Sequence, residues 1–248
     1  MASTVIPHRS WRASSGWLLL VAVVALLGWW IHHADLIGTL LGYQDQIVYL
    51  TGQHIELVVI SGSLAIVTGI PLGIFLSRPF FRRYSESCMQ LLNVGTTIPT
   101  LAVLALSMTF LGIGTKPAIF ALWVASLLYI VRNTYSGLVS VPSHLIEAAV
   151  GIGMTPRQIL WHVELPNALY VIFAGVRTAL TINVGTVPLA FLIGGGGLGQ
   201  LIFTGIDLDE TGMMLAGAIP TALLAVVVDA LMSGAAYLLI PRGVNPLR

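Results

Sequence analysis

Apolar residues collect in long runs along this chain, and polar residues collect in the gaps between them. A bilayer core about 30 Å thick takes about 20 apolar residues per helix, so each run predicts a membrane span. The first run, Trp17 to Ile31, follows a segment bearing His8, Arg9 and Arg12 and ends in Trp29 and Trp30, residues suited to an interfacial aromatic belt. No A-x-A cleavage pattern follows it, so it reads as a retained anchor rather than a signal peptide. Further spans are predicted at about 55–77, 89–111, 118–136, 169–193 and 213–240, six in all. Pro99 interrupts the third, and a tight GIGTKP turn (112–117) separates it from the fourth.

Composition supports that pattern. The chain is 56% hydrophobic and 8% charged, whereas soluble domains carry about 25% charged residues. The fold class is therefore an all-α integral membrane protein of about six transmembrane helices. Eleven basic residues against ten acidic ones, with no basic stripe, set nucleic acid aside. A single cysteine, Cys88, excludes an intrachain disulfide and falls short of a thiolate metal site. Arg9, Arg12, Arg78, Arg82, Arg83, Arg157, Arg242 and Arg248 fall on one side of the predicted spans and Lys116 alone on the other. The excess of basic residues in cytoplasmic loops then puts both termini and residues 137–168 in the cytoplasm.

One polar stretch stands out, EAAVGIGMTPRQILWHVELP at 147–166. Thr155-Pro156-Arg157-Gln158 combines an N-cap hydroxyl, a proline at the first helical position and a glutamine three residues after the cap, which makes a capping box. A short helix is predicted from Pro156, with Pro166 ending it. Upstream, Leu145, Ala149 and Ile152 recur at helical spacing, and Gly151 and Gly153 permit a backbone turn. Two short helices with a bend at Gly153 are too short to stand alone in water. They must dock, either as a lid on the chain's own spans or against another protein. Glu147, Arg157, Gln158, His162 and Glu164 are the polar residues available for such a contact.

Glu147-Ala148-Ala149, three residues, Gly153, nine residues, and Val163-x-Leu165-Pro166 resemble the EAA loop of ABC importer permeases, EAA-x3-G-x9-I-x-LP, with valine in place of isoleucine. GTTIPTLAVLAL (95–106), LGIGTKPAIFAL (111–122), RNTYSGL (132–138), AGVRTALTINVGT (174–186) and IGGGGLGQLIFTGI (193–206) resemble the osmoprotectant branch. The likeness covers about residues 55 to 230. It implies a type I ABC importer permease fold with cytoplasmic coupling helices in a bacterial inner membrane. Residues 1–50 would form a tail, anchor and external segment, 51–241 the permease domain with its coupling loop at 137–168, and 242–248 a tail. The resemblance assigns Glu147, Ala148, Ala149, Gly153, Thr155, Leu165 and Pro166 to ATPase coupling. It implies two ATPase subunits that bind ATP and magnesium, a second permease, identical or paralogous, and an extracytoplasmic substrate-binding protein. The cargo class it implies is quaternary amines: glycine betaine, choline or carnitine.

Other residues carry readings of their own. Arg177 and Asp229 both fall in the inner half of the membrane, where they form a buried charge pair or Arg177 snorkels to the headgroups. Thr96, Thr97 and Pro99 in the third span and Asn183 and Thr186 in the fifth line a pathway or join helices. Gly69 and Gly73 make a G-x-x-x-G contact signal in the second span. The run from Gly194 to Gly199 satisfies G-x-G-x-x-G without a strand before it, so Gly196 and Gly197 mark a gate or a plain helix end rather than a nucleotide site. The only lysine, Lys116, precedes proline, and no P-loop exists. No Ser/His constellation or H-E-x-x-H motif supports an intramembrane enzyme, and the six histidines are predicted in loops or at span ends. No cofactor is expected in this chain. The rival readings are a permease for another small solute and a secondary transporter, although inverted repeats are not evident.

Overall fold

In a computed structural model of the chain, residues 36–241 and 243–244 are described, and every regular element among them is helical. The first predicted span lies outside these residues, as do most of 242–248. The chain divides at Gln44 into two units. Of the first, the described part is a short helix, α1 (Leu36–Gly42).

The second unit opens with α2 (Gln44–Leu76), which starts well ahead of the predicted position 55. Asp45, Gln46, Gln53, His54 and Glu56 break the apolar run without breaking the helical period. Leu50, His54, Leu57, Ser61, Ala65, Gly69, Gly73 and Leu76 are all buried, at steps of three or four residues. One face thus stays in the core throughout, and that continuity carries the helix past its polar residues. His54 is corrected accordingly: it sits fully buried inside α2, not at a solvated span end, and its Nε2 lies 3.1 Å from the Val184 carbonyl.

After a short 3-10 turn at Pro79–Phe81 come α3 (Arg82–Thr97) and α4 (Thr100–Leu111), bent by 96° across Ile98 and Pro99. Ile98 is extended (φ −71°, ψ 121°), the conformation that steric contact with a following proline imposes. α5 (Thr115–Val139) is the central helix. A hairpin follows, α6 (Ser143–Gly151) and α7 (Pro156–Ile159). A π turn at Leu160–Glu164 then leads into α8 (Leu165–Thr186), which continues as a 3-10 segment, Val187–Ile193. α9 (Gly199–Asp207) and α10 (Thr211–Leu239) complete the unit. Of these, α2, α5, the continuous stretch Pro156–Ile193 and α10 are long and apolar enough to cross a membrane, and the two arms of the bent α3–α4 pair reach that length and hydropathy only when taken together, as a broken span or a re-entrant loop.

Pro166 does not end the hairpin's second helix, contrary to the expectation above. The wide π turn lets the Leu165 N–H reach the Leu160 carbonyl, so the helix passes the proline, which occupies the first turn of α8 where its missing N–H costs little. The predicted fifth span therefore begins earlier, fused to the hairpin. α9 is a further departure, a helix in a region where no element was expected.

The core lies where α2, α5 and α8 meet. One cluster joins Leu57, Leu104, Leu122, Val184 and Val187; a second joins Ala65, Ile130, Val176 and Ala179; a third joins Leu138, Val141, Ala168 and Ile172 at the hairpin end. Close approach depends on small residues. A Cβ on Gly73 would lie 2.6 Å from Thr134 Cβ, and one on Gly175 would lie 2.3 Å from Asn133 Cβ. The G-x-x-x-G pair of α2 thus packs on α5.

Candidate coupling hairpin and membrane polar groove

The hairpin's geometry follows from its local sequence. α6 ends at Ile152, and Gly153 turns the chain at φ +82°, a value that disfavours any side chain. The Gly153 N–H donates to Val150 O (2.9 Å) and the Met154 N–H to Ala149 O (3.0 Å), closing the helix end. Thr155 then caps α7: its N–H donates to Gln158 Oε1 (2.8 Å), and its Oγ1 accepts from the Gln158 N–H (3.4 Å). Ala149 and Ile159 are buried, while Ile146, Leu160 and Leu165 pack on the third core cluster and fix the hairpin to the spans.

What remains exposed is a mixed surface. Glu147, Ala148, Gly153, Thr155, Arg157, Gln158 and His162 face outward, together with Val150, Trp161 and, at the turn, an 80% exposed Ile152. Ile152 shares helical spacing with the buried Ala149 yet is exposed at the turn, and the exposed Trp161 carries no motif. Of the coupling candidates, Leu165 and Pro166 are half-buried at the base of α8 and so hold the hairpin rather than form its tip. Glu164 is no surface residue either. It is half-buried and forms an ion pair with Arg78 across 2.6 Å, with angles outside hydrogen-bond geometry. Arg78 Nη2 also donates to Ser77 Oγ (2.9 Å), and its Nε lies 3.2 Å from Ile74 O. The end of α2 is thereby tied to the root of the hairpin.

In the membrane region, the Arg177 guanidinium of α8 binds the Asp229 carboxylate of α10 in bidentate fashion, Nε to Oδ1 at 2.6 Å and Nη2 to Oδ2 at 2.5 Å. Thr181 Oγ1 lies 3.4 Å from Asp229 Oδ1. The pair opens on a cavity of about 430 Å3 that Tyr170, Phe173, Thr178 and Ser233 also line. A second cavity, of about 340 Å3, lies at the α3–α4 bend, lined by Gly95, Thr96, Ile98, Thr100, Tyr129 and Ile182. Ile182 lines both.

The pathway candidates separate by position. Thr97 and Pro99 are exposed at the bend, and the Thr96 and Thr97 hydroxyls donate to their own helix, to Asn93 O and Val94 O. Thr186 is half-buried and donates to the Ile182 and Asn183 carbonyls. Asn183 lines no open surface. It is buried, and its Nδ2 donates to Ser61 Oγ on α2 (2.9 Å) and Ser126 Oγ on α5 (2.8 Å), so it joins three helices. Gly196 and Gly197 belong to a tightly packed turn. Both have positive φ, the Gly197 N–H donates to Gln53 Oε1 (3.1 Å), and a Cβ on Gly196 would lie 2.6 Å from that oxygen.

Residues 69–242 match the family described as "Binding-protein-dependent transport system inner membrane component". The chain is 51% identical over 216 residues to the osmoprotectant import permease protein OsmY of Salmonella typhimurium, covering 87% of this chain and 90% of that protein. It is 43% identical over 208 residues to the glycine betaine/carnitine/choline transport system permease protein OpuCD of Bacillus subtilis, covering 84% and 86%. Among solved structures, an inward-facing form of the MetNI methionine ABC transporter has the same fold at 24% identity, with a TM-score of 0.69 over 82% of this chain and 98% of that one. Four helices among the described residues that are long and apolar enough to cross a membrane, a capped hairpin leading into one of them and a match over residues 69–242 make this chain a member of the binding-protein-dependent transport system inner membrane component family.

Proposed function

We propose that the chain is the membrane permease of an ATP-driven importer of quaternary-amine osmolytes, of the glycine betaine, choline and carnitine class. The hairpin at 143–164 carries this reading. It is preformed by its cap and its Gly153 turn, rooted in the core by Ile146 and Leu160, and it exposes Ile152 at the turn, Trp161 in the π turn, and the charged Glu147 and Arg157. Apolar residues at a polar turn fit a protein groove better than water or lipid. The groove belongs to an ATPase subunit, which binds ATP and magnesium and supplies the hydrolysis. Closure of two ATPases pushes two hairpins, one from each permease, the second permease being a copy or a paralogue. Because α7, the π turn and α8 are continuous, that push reaches the membrane as motion of α8. Both termini and the hairpin face the cytoplasm, and the 112–114 and 193–210 turns face the substrate-binding protein outside.

Proteoliposomes containing permease and ATPase, supplied with the cognate binding protein, test the reading. ATP-dependent uptake of radiolabelled glycine betaine, choline or carnitine is the expected result. Uptake driven by a sodium or proton gradient without ATP would sink it in favour of a secondary transporter. For the hairpin, Glu147→Lys and Gly153→Pro should lower transport-coupled ATP turnover at least tenfold. Normal turnover in both would remove the coupling assignment.

A further inference from the structure

The Arg177–Asp229 pair does more than a helix clamp requires. A clamp between α8 and α10 is best closed off, since charge at membrane depth is expensive and is normally turned inward or onto water. Here both side chains stay open while paired, 43% exposed for Arg177 and 37% for Asp229. Thr178, Thr181 and Ser233 stand around the charges in an otherwise mainly apolar cavity, which the Tyr170 and Phe173 rings also line. At about 430 Å3, the cavity is within the ordinary size range of small-molecule sites.

We propose that this groove is a transmembrane binding site for a zwitterion carrying a quaternary ammonium and a carboxylate, with Asp229 facing the ammonium and Arg177 the carboxylate. The inference rests on the cargo class proposed above and names where in the membrane that cargo is held. Charge balance favours it. The pair is neutral and so is the ligand, so when the ligand enters between the two side chains every charge exchanges one counter-charge for another and none is stranded. The carboxylate can take the two N–H groups that Asp229 now occupies, a bidentate geometry that guanidinium offers and ammonium does not. The trimethylammonium gains an aromatic face as well as a carboxylate. A cation without a carboxylate would leave the Arg177 guanidinium unmatched. The groove therefore discriminates betaine and carnitine from choline.

The test uses the intact permease–ATPase complex in detergent, without the substrate-binding protein, and equilibrium binding of radiolabelled glycine betaine and choline. Wild type should bind betaine saturably and at least tenfold more tightly than choline. Arg177→Gln should erase that preference, and Asp229→Asn should abolish both. Co-elution with the ATPase shows whether each variant is assembled. If neither assembles, the exchange R177D/D229R keeps the pair and the fold; it should still lose betaine affinity at least tenfold, because a mere clamp would be fully restored. No saturable binding to wild type, while the complete system takes up betaine, overturns the groove and leaves the importer reading intact. Wild-type levels of binding in the exchanged variant also overturn it. If the complete system with its binding protein takes up none of the three amines, the cargo reading fails and the groove assignment falls with it.

Discussion

Asn183 shows how much one side chain can do inside a bundle with few polar groups. Its amide donates to a serine on each of two neighbouring helices. Hydrogen bonds between membrane helices contribute about 0.6 kcal/mol on average and about 1.7 at most. Asn183→Ala should therefore destabilise the protein by about 1 to 2 kcal/mol and lower its unfolding midpoint by about 2 to 8 °C. Thermal unfolding of the purified permease in detergent checks this, and an unchanged midpoint would mean that the two serine contacts carry no net stability. The residue was legible only as a pair of alternatives, pathway or helix contact. Nothing in TINVGT says which way the amide points, and its partners, Ser61 and Ser126, lie far away in sequence with no motif of their own. Arg177 and Asp229 were easier to pair, because charges at similar depth have few other partners. Their opening onto a shared cavity had no sequence signal at all.

At the level of elements, local chemistry was legible and fusion between elements was not. The Thr155 cap, the Pro156 start and the Gly153 turn each depend on a few adjacent residues, and each is present in the hairpin. Thr155→Ala removes the cap and should cost about 1 kcal/mol of local helix stability. The expected sign is faster hydrogen exchange at residues 156–160, with the spans unaffected. Pro166 misled for the opposite reason: a π turn is a five-residue compromise that no single residue announces. The Arg78–Glu164 contact is likewise long-range, joining the ends of two elements that the sequence separates widely. If it holds the hairpin root against α2, Arg78→Ala should raise the ATP hydrolysed per solute imported by several-fold, and the exchange R78E/E164R should bring the ratio back. Equal ratios in wild type and Arg78→Ala would leave the pair a surface contact of the usual small worth. The 96° bend at Ile98 and Pro99 was visible as an interruption, but its angle depends on what α3 and α4 pack against.

For the molecule as a whole, the basic-residue asymmetry makes a claim about sidedness that two exposed isoleucines can test. Ile113 lies in the turn before α5 and is 78% exposed; Ile152 lies at the tip of the hairpin and is 80% exposed. α5 runs from Thr115 to Val139, and at about 1.5 Å per residue it separates these two turns by the thickness of a bilayer. They must therefore report opposite faces. With Cys88 replaced by serine, Ile113→Cys should react with a membrane-impermeant maleimide in intact spheroplasts, and Ile152→Cys should react only in inside-out vesicles. The reverse pattern would invert the topology and with it the location of the ATPase. The same hairpin label carries a second readout. If the partner's groove covers the tip as proposed, co-expression of the ATPase should make Ile152→Cys at least fivefold slower to label, whereas Ile113→Cys should be indifferent. Equal labelling of Ile152→Cys with and without the ATPase would move the contact away from the tip, onto the Glu147 and Arg157 flanks of the hairpin.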